Sequence, residues 1–140
     1  MSEANKAVVR KIEEAWNDND LASLDAYFAP SFVQHSGMPG MTPSLETAKM
    51  AHQMTVGGFP DRRTRIEDII ADGDKVAVRM RMTGTYTNSL EFLGVPAARQ
   101  PVDVEWISIY GLKDGKVVEH RAIIDIPTLM QQLGAGAAPA

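Results

Sequence analysis

The chain has no cysteine, which rules out disulfides, thiolate metal sites and a cysteine nucleophile. It also has no long run of one charge. Its 14 lysines and arginines are dispersed among 18 acidic residues for a formal net charge of −4, so nucleic acid and anionic membrane are poor partners. No apolar run approaches the roughly 20 residues of a membrane-spanning helix, and "MSEANKAVVRKIEEAW" at the N-terminus lacks the apolar centre of a secretory signal. A cytoplasmic protein is expected. "GVP" and "GGF" are turns, and neither G-x-G-x-x-G nor a Walker pattern occurs, so no phosphate cradle is encoded. No pair of histidines has metal-ligand spacing; neither a metal nor a cofactor is expected. No internal repeat is visible. Low complexity is confined to "GAGAAPA", which reads as a disordered tail, 135–140, after a single domain, 1–134.

At 140 residues, 44% hydrophobic and 23% charged, the chain can build one real core. Helices come first. "KAVVRKIEEAW" places Val8 or Val9, Ile12 and Ala15 or Trp16 at helical spacing before "NDND" breaks the pattern. Asp20 is suited to cap a short helix through Leu21, Leu24 and Phe28, stopped before Pro30. "SFVQH" reads as a short strand. Thr42 and Pro43 start a helix carrying Leu45, Ala48, Ala51 and Met54, which "GGFP" closes.

Strands dominate the second half. "RTRIEDIIA" passes through "DGD" into "KVAVRMRMTGTY"; a loop leads to "VDVEWISIYGL"; "KDGK" returns the chain as "VVEHRAIID". A D-G turn between two alternating runs is a strong hairpin signal. Asp125 then precedes a short terminal helix, "IPTLMQQL". Helices followed by antiparallel strands predict an α+β fold.

Alternate strand residues share a face. Even positions are Val76, Val78, Met80, Met82, Val102, Val104, Trp106, Ser108, Tyr110, Val118, His120, Ala122 and Ile124: apolar, with a few polar groups. Odd positions mix Arg79, Arg81, Asp103, Glu105, Glu119 and Arg121 with Ile107, Ile109 and Ile123. The first face should meet the helices. The second is too charged for a core and too rich in isoleucine for plain solvent, which predicts a homodimer packed across it.

The segments "WNDNDLASLDAYFAPSFVQH", "FPDRRTRIEDIIADGDKVAVRMRMTGTY", "FLGVP" and "DGKVVEHRAIIDIPTLMQQLG", in this order, resemble the SnoaL-like polyketide cyclases of the nuclear transport factor 2-like superfamily. The resemblance implies a cystatin-like cone: a strongly curved antiparallel sheet wrapped around a pocket closed by the N-terminal helices. It also implies a dimer through the outer faces of the sheets. In the characterised cyclases an aspartate late in the chain is the acid/base of an intramolecular aldol ring closure. Aligned through "DGK" and "HR", that aspartate falls on Ala122, the family's glutamine and histidine on the preceding strand fall on Trp106 and Ser108, and its asparagine after the second helix falls on Gln34. In the related ketosteroid isomerases the general base corresponds to His35.

His35 is accordingly the catalytic candidate, since an imidazole with a pKa near about 6.5 suits proton transfer at neutral pH. The alternative is a histidine satisfied by hydrogen bonds at a strand end. His120 shares a face with Ala122 but sits near the turn of its hairpin, which favours a rim or structural place. Ser108 offers a hydroxyl to a ligand carbonyl, or simply fills the core. Trp106, Tyr110, Met80 and Met82 suit a flat polycyclic ligand, although plain core packing uses the same residues. Gln34, Met80, Met82, Trp106, Ser108, Tyr110, His120 and Ala122 form the expected substrate-binding set. Asp125 has the wrong parity for the pocket and the right place for a helix N-cap; Glu67 and Asp68 read as solvated.

Two functions fit. One is a cofactor-independent enzyme moving protons on a hydrophobic, carbonyl-bearing small molecule by cyclisation, isomerisation or dehydration. The other is a non-catalytic binder of a hydrophobic metabolite. A shared fold does not choose between them.

Overall fold

The computed structural model describes residues 2–35 and 44–134. Helix α1 (Ser2–Asn17) and the single turn α2 (Leu21–Leu24) lead into strand β1 (Phe28–Gln34) and helix α3 (Leu45–Gly58). Strands β2 (Arg63–Asp72), β3 (Lys75–Tyr86), β4 (Gln100–Lys113) and β5 (Lys116–Ile124) follow, and helix α4 (Ile126–Leu133) ends the fold. This is the expected α+β order, built as four helices on an open, curved, five-stranded sheet.

The sheet order is β1-β5-β4-β3-β2. Neighbours from β5 to β2 are antiparallel, whereas β1 runs parallel to β5; the sheet is therefore mixed rather than wholly antiparallel. The β4–β5 turn needs positive φ at both central residues, and Asp114 (φ 52°) and Gly115 (φ 78°) supply it. Between β2 and β3, Gly73 (φ 60°) takes the position that a type II′ turn reserves for positive φ.

The short second helix is capped by Asp20, which accepts from the Ser23 amide and the Ser23 hydroxyl. It ends at Leu24, and Phe28 opens β1 instead of closing the helix as its spacing suggested. The expected start of α3 at Thr42 and Pro43 lies outside the described residues, as does the tail 135–140. Within the described part, Ser44 caps the helix through the Thr47 amide.

Bulges shift the inward face at two places. On β5 the register slips between Glu119 and Val117, opposite Gly111 and Leu112 of β4, so Val117, fully buried, takes the core position expected of Val118. On β2 a slip between Ile66 and Asp68 turns Ile69 and Ala71 toward the core after Thr64 and Ile66. An inserted residue reverses every later side chain on its strand.

Two apolar clusters result. Val9, Ile12 and Ala15 of α1 meet Val76, Val78, Met80, Tyr110 and Val117 of the sheet. Leu129 and Leu133 of α4 cover the other end of the sheet with Phe59, Met82, Tyr86, Val102 and Val104. Tyr86 also pins the loop after β3: its hydroxyl accepts from the Leu90 amide (2.8 Å) and donates to the Val95 carbonyl (2.6 Å). Among the described residues no helix is long and apolar enough to cross a membrane.

Candidate functional site

Helices α1 and α3 arch over the concave side of β1, β5 and β4 and leave a cavity of about 220 Å³ between them. Its wall is assembled by three periodicities. On α1 the inward stripe Val9, Ile12, Glu13, Trp16 follows i, i+3, i+4, i+7, which delivers Glu13 and Trp16 to the cavity. On α3 the lining residues are Thr47, Ala48, Ala51, His52 and Thr55; Met54, expected on this face, is 43% exposed. Alternation on β4 and β5 presents Trp106, Ser108, Tyr110, His120 and Ala122.

Of the expected binding set, Gln34, Met80, Trp106, Ser108, Tyr110, His120 and Ala122 are brought together around this cavity. Met82 is not. It packs in the second cluster beside Phe59 and Tyr86, because the cavity ends one inward position earlier on β3. His35 is not at the wall either. β1 and β5 are in register at Gln34 and His120; Gln34 therefore turns inward, and His35, the next residue, falls outside. There its Nε2 lies 3.3 Å from a carboxylate oxygen of Glu119, which also pairs with Lys75. Asp125 caps α4: its carboxylate accepts from the Thr128 amide and hydroxyl, which hold its pKa down.

The cavity also holds a polar group absent from the sequence expectations: Glu13, His52 and Arg62. Glu13 is buried and accepts a 2.6 Å hydrogen bond from the Tyr110 hydroxyl. Burial raises the pKa of this carboxyl, while the Tyr110 bond and the charge of Arg62 oppose that rise. Tyr110 is pushed well above the usual phenol value by burial and by the facing carboxylate. Burial, and secondarily the Arg62 charge, lowers His52 to about 4. Burial lowers Arg62 as well, against the pull of Glu13. Glu13 was legible as a charge inside the apolar stripe of α1, and His52 shares the wall with Ala48 and Ala51; Arg62, just before β2, carries no periodic signal.

His120 is held differently. Its ring packs on Tyr110 with centroids 4.4 Å apart, and its Nδ1 is 2.8 Å from Gln34 Oε1. An amide oxygen only accepts, so Nδ1 carries the proton and Nε2 keeps its lone pair. Burial brings this imidazole to about 4, neutral at pH 7. His52 Nε2, Arg62 Nε and Nη1, Trp106 Nε1 and His120 Nε2 are all buried without a protein hydrogen-bond partner among the described residues, and all four residues line the cavity. Each such atom costs about 1–3 kcal/mol unless something satisfies it. The wall thus combines aromatic and methyl surface with N–H donors of Arg62 and Trp106 and two neutral imidazoles, the composition of a small-molecule site. Among the described residues no group of three His, Cys, Asp or Glu side chains is placed to hold a metal ion.

Comparison with known proteins agrees with this architecture. Residues 6–133 match the family described as SnoaL-like polyketide cyclase. The fold superposes on AclR of Streptomyces galilaeus, a proposed hydroxylase, with a TM-score of 0.83 at 28% identity, covering 96% of this chain and 98% of AclR. It superposes on wild-type IdmH of Streptomyces antibioticus, a proposed polyketide cyclase, with a TM-score of 0.81 at 33% identity, covering 93% and 98%. Among curated proteins none matches. With the family match running from α1 to the end of α4, the chain belongs to the SnoaL-like polyketide cyclase family.

Proposed function

We propose that the protein binds a hydrophobic, carbonyl-bearing small molecule in the cavity between α1, α3 and the sheet, and transfers a proton on it without a cofactor. His120 carries this reading. Its Nδ1–H is committed to Gln34, which orients the ring and fixes the tautomer, and its Nε2 lone pair is left at the cavity wall. A carbonyl ligand placed there has its α-proton to lose to an imidazole, and N–H donors from Trp106 and Arg62 to stabilise the enolate oxygen that forms. Ala122, on the same face as His120, contributes only a methyl group, so the acid/base role that the family gives to an aspartate passes to the imidazole two residues earlier.

The test needs no knowledge of the natural substrate. 1-Tetralone in D₂O reports α-proton removal as deuterium incorporation by NMR. Wild type should accelerate exchange, and His120→Ala should reduce the acceleration roughly a hundredfold, the scale of a positioned general base. Binding is read separately by fluorescence, because the two tryptophans of the chain, Trp16 and Trp106, both line the cavity. No acceleration by wild type would refute proton transfer.

A second reading is favoured by the same imidazole: at a pKa of about 4 it is a weak base, which suits a carrier that binds without reacting. Tryptophan quenching by tetralone without exchange would select it.

The same proposal takes the working unit as a homodimer. Ile70, Ile107, Ile109 and Ile123 are exposed on the convex side of the sheet. Ile107 and Ile123 are paired in register. Beside them, across β2, β3 and β4, run ion pairs of Arg79 with Asp68 and Glu105 and of Arg81 with Asp103. A self-complementary mixture of this kind suits a two-fold contact.

A further inference from the structure

Arg62 is a largely enclosed cation, and among the described residues no carboxylate lies within ion-pair distance of it. Its Nε and Nη1 are out of reach of solvent and have no hydrogen-bond partner among the described residues. Three arginines of the neighbouring sheet are treated differently. Arg65, Arg79 and Arg81 lie on the outer side with a carboxylate at 2.7 Å each, Glu67, Asp68 and Asp103 respectively. Arg62 lines the cavity, and no such pair is made for it there among the described residues. Glu13 is near enough to be felt electrostatically, but one of its oxygens already takes the 2.6 Å bond from Tyr110. Removing a guanidinium from water without pairing it is costly, and the cost is offset when an anion occupies the space its N–H groups face. The rest of the wall suits the remainder of such a molecule: Trp16, Phe28, Phe32 and Trp106 are flat or apolar surfaces. His52, beside Arg62 at the wall, adds no competing positive charge at neutral pH.

We infer that the natural ligand is an aromatic organic anion whose carboxylate, or acidic enolate oxygen, pairs with Arg62. This rests on the small-molecule reading above and narrows it: the ligand enters with its charged end toward Arg62, the carbon α to its carbonyl toward His120 Nε2 and the carbonyl oxygen toward Trp106 Nε1. The site then discriminates a free acid from its ester or amide, because only the acid supplies the charge that the buried guanidinium lacks.

Calorimetric titration with 2-naphthoate and with its neutral near-isostere 2-naphthamide tests this. Wild type should bind the carboxylate at least about tenfold more tightly than the amide, in keeping with the greater strength of hydrogen bonds to a charged partner. Arg62→Met should abolish the preference by weakening the acid far more than the amide, and Arg62→Lys should retain part of it. Thermal melts check that the variants fold; should Arg62→Met fail to, Arg62→Lys and the wild-type ratio still decide. Equal binding of acid and amide by wild type, or a preference surviving in Arg62→Met, would overturn the inference. In that case the carbonyl-binding reading stands if the amide binds and tetralone exchange persists. Binding of neither probe would overturn the inference, and if tetralone also fails to bind, the parent reading fails with it.

Discussion

At the scale of single residues, the neutral imidazoles of the cavity make stability depend on pH in a defined direction. His120 has a pKa of about 4 in the fold, against 6.5 for the ordinary side chain. Between those values the unfolded chain takes up a proton that the native ring refuses, so stability is full above 6.5, falls as the pH drops toward 4, and levels off below it. Glu13, raised by burial, acts oppositely: its contribution is present at low pH and lost as the pH rises through its native value. His120→Gln removes one term and keeps the other. Denaturant unfolding at pH 7 and pH 4.5 should show wild type losing about 2 kcal/mol more than the variant between the two conditions. Equal losses would mean that the ring is solvated in the native state. His52, also brought to about 4, adds a parallel slope common to both proteins. The residue scale is where reading from sequence was weakest. His35 and His120 are each one imidazole in a polar-apolar stretch, and the choice between them turned on the β1–β5 register, a contact between segments 86 residues apart.

At the scale of elements, the wall of the cavity depends on how α1 is fastened to β2. Asn17, the last residue of the helix, donates through Nδ2 to the Thr64 carbonyl and accepts the Thr64 amide at Oδ1, both at 2.8 Å. The amide side chain thus acts as an extra strand residue and sets the position of Glu13 and Trp16, four and one residues back along the helix. Asn17→Ala leaves both backbone groups of Thr64 without this partner in a part-buried position. It should cost about 2 kcal/mol of unfolding free energy, and it should weaken cavity ligands although Asn17 is not at the wall. A variant that melts like wild type would show that water replaces the amide at no cost. Elements were the most legible part of the chain. β3 has the bounds its alternation implied, the D-G turns made hairpins, and Asp125 made an N-cap, since all of these are decided by neighbours within a few residues. The exceptions have tertiary causes. Phe28 left the α2 pattern because β5 offered β1 a parallel partner, and Val117 displaced Val118 because a bulge is invisible to a period of two.

At the scale of the whole molecule, the convex face of the sheet, with its exposed isoleucines, is the surface on which a second copy is proposed to sit. Ile123 is 77% exposed and Ile107 47% exposed, an arrangement that is unfavourable for a lone domain and ordinary at the centre of an interface. Sedimentation at micromolar concentration should give a mass of twice 15.3 kDa. Ile109→Arg should shift it to the monomer by placing an unpaired charge at the centre of the contact. The cavity opens on the other side of the sheet, so ligand binding should survive the dissociation. A wild-type monomer would assign the isoleucines to some other partner.

The sequence by itself determined the α+β order, the inward and outward faces of the long strands, the family, and the part of the cavity wall that β4 and β5 supply, because each follows from local periodicity or from motifs kept in order. Only the tertiary structure decided what that wall can do. The parallel pairing of β1 with β5 put Gln34 rather than His35 inside and so set the tautomer of His120, and the packing of α1 and α3 over the sheet gathered Glu13, His52 and Arg62 around Tyr110. Burial is the physical reason. It is a property of contacts between distant segments, and it lowers His120, raises Glu13 and takes Arg62 Nε and Nη1 out of reach of solvent.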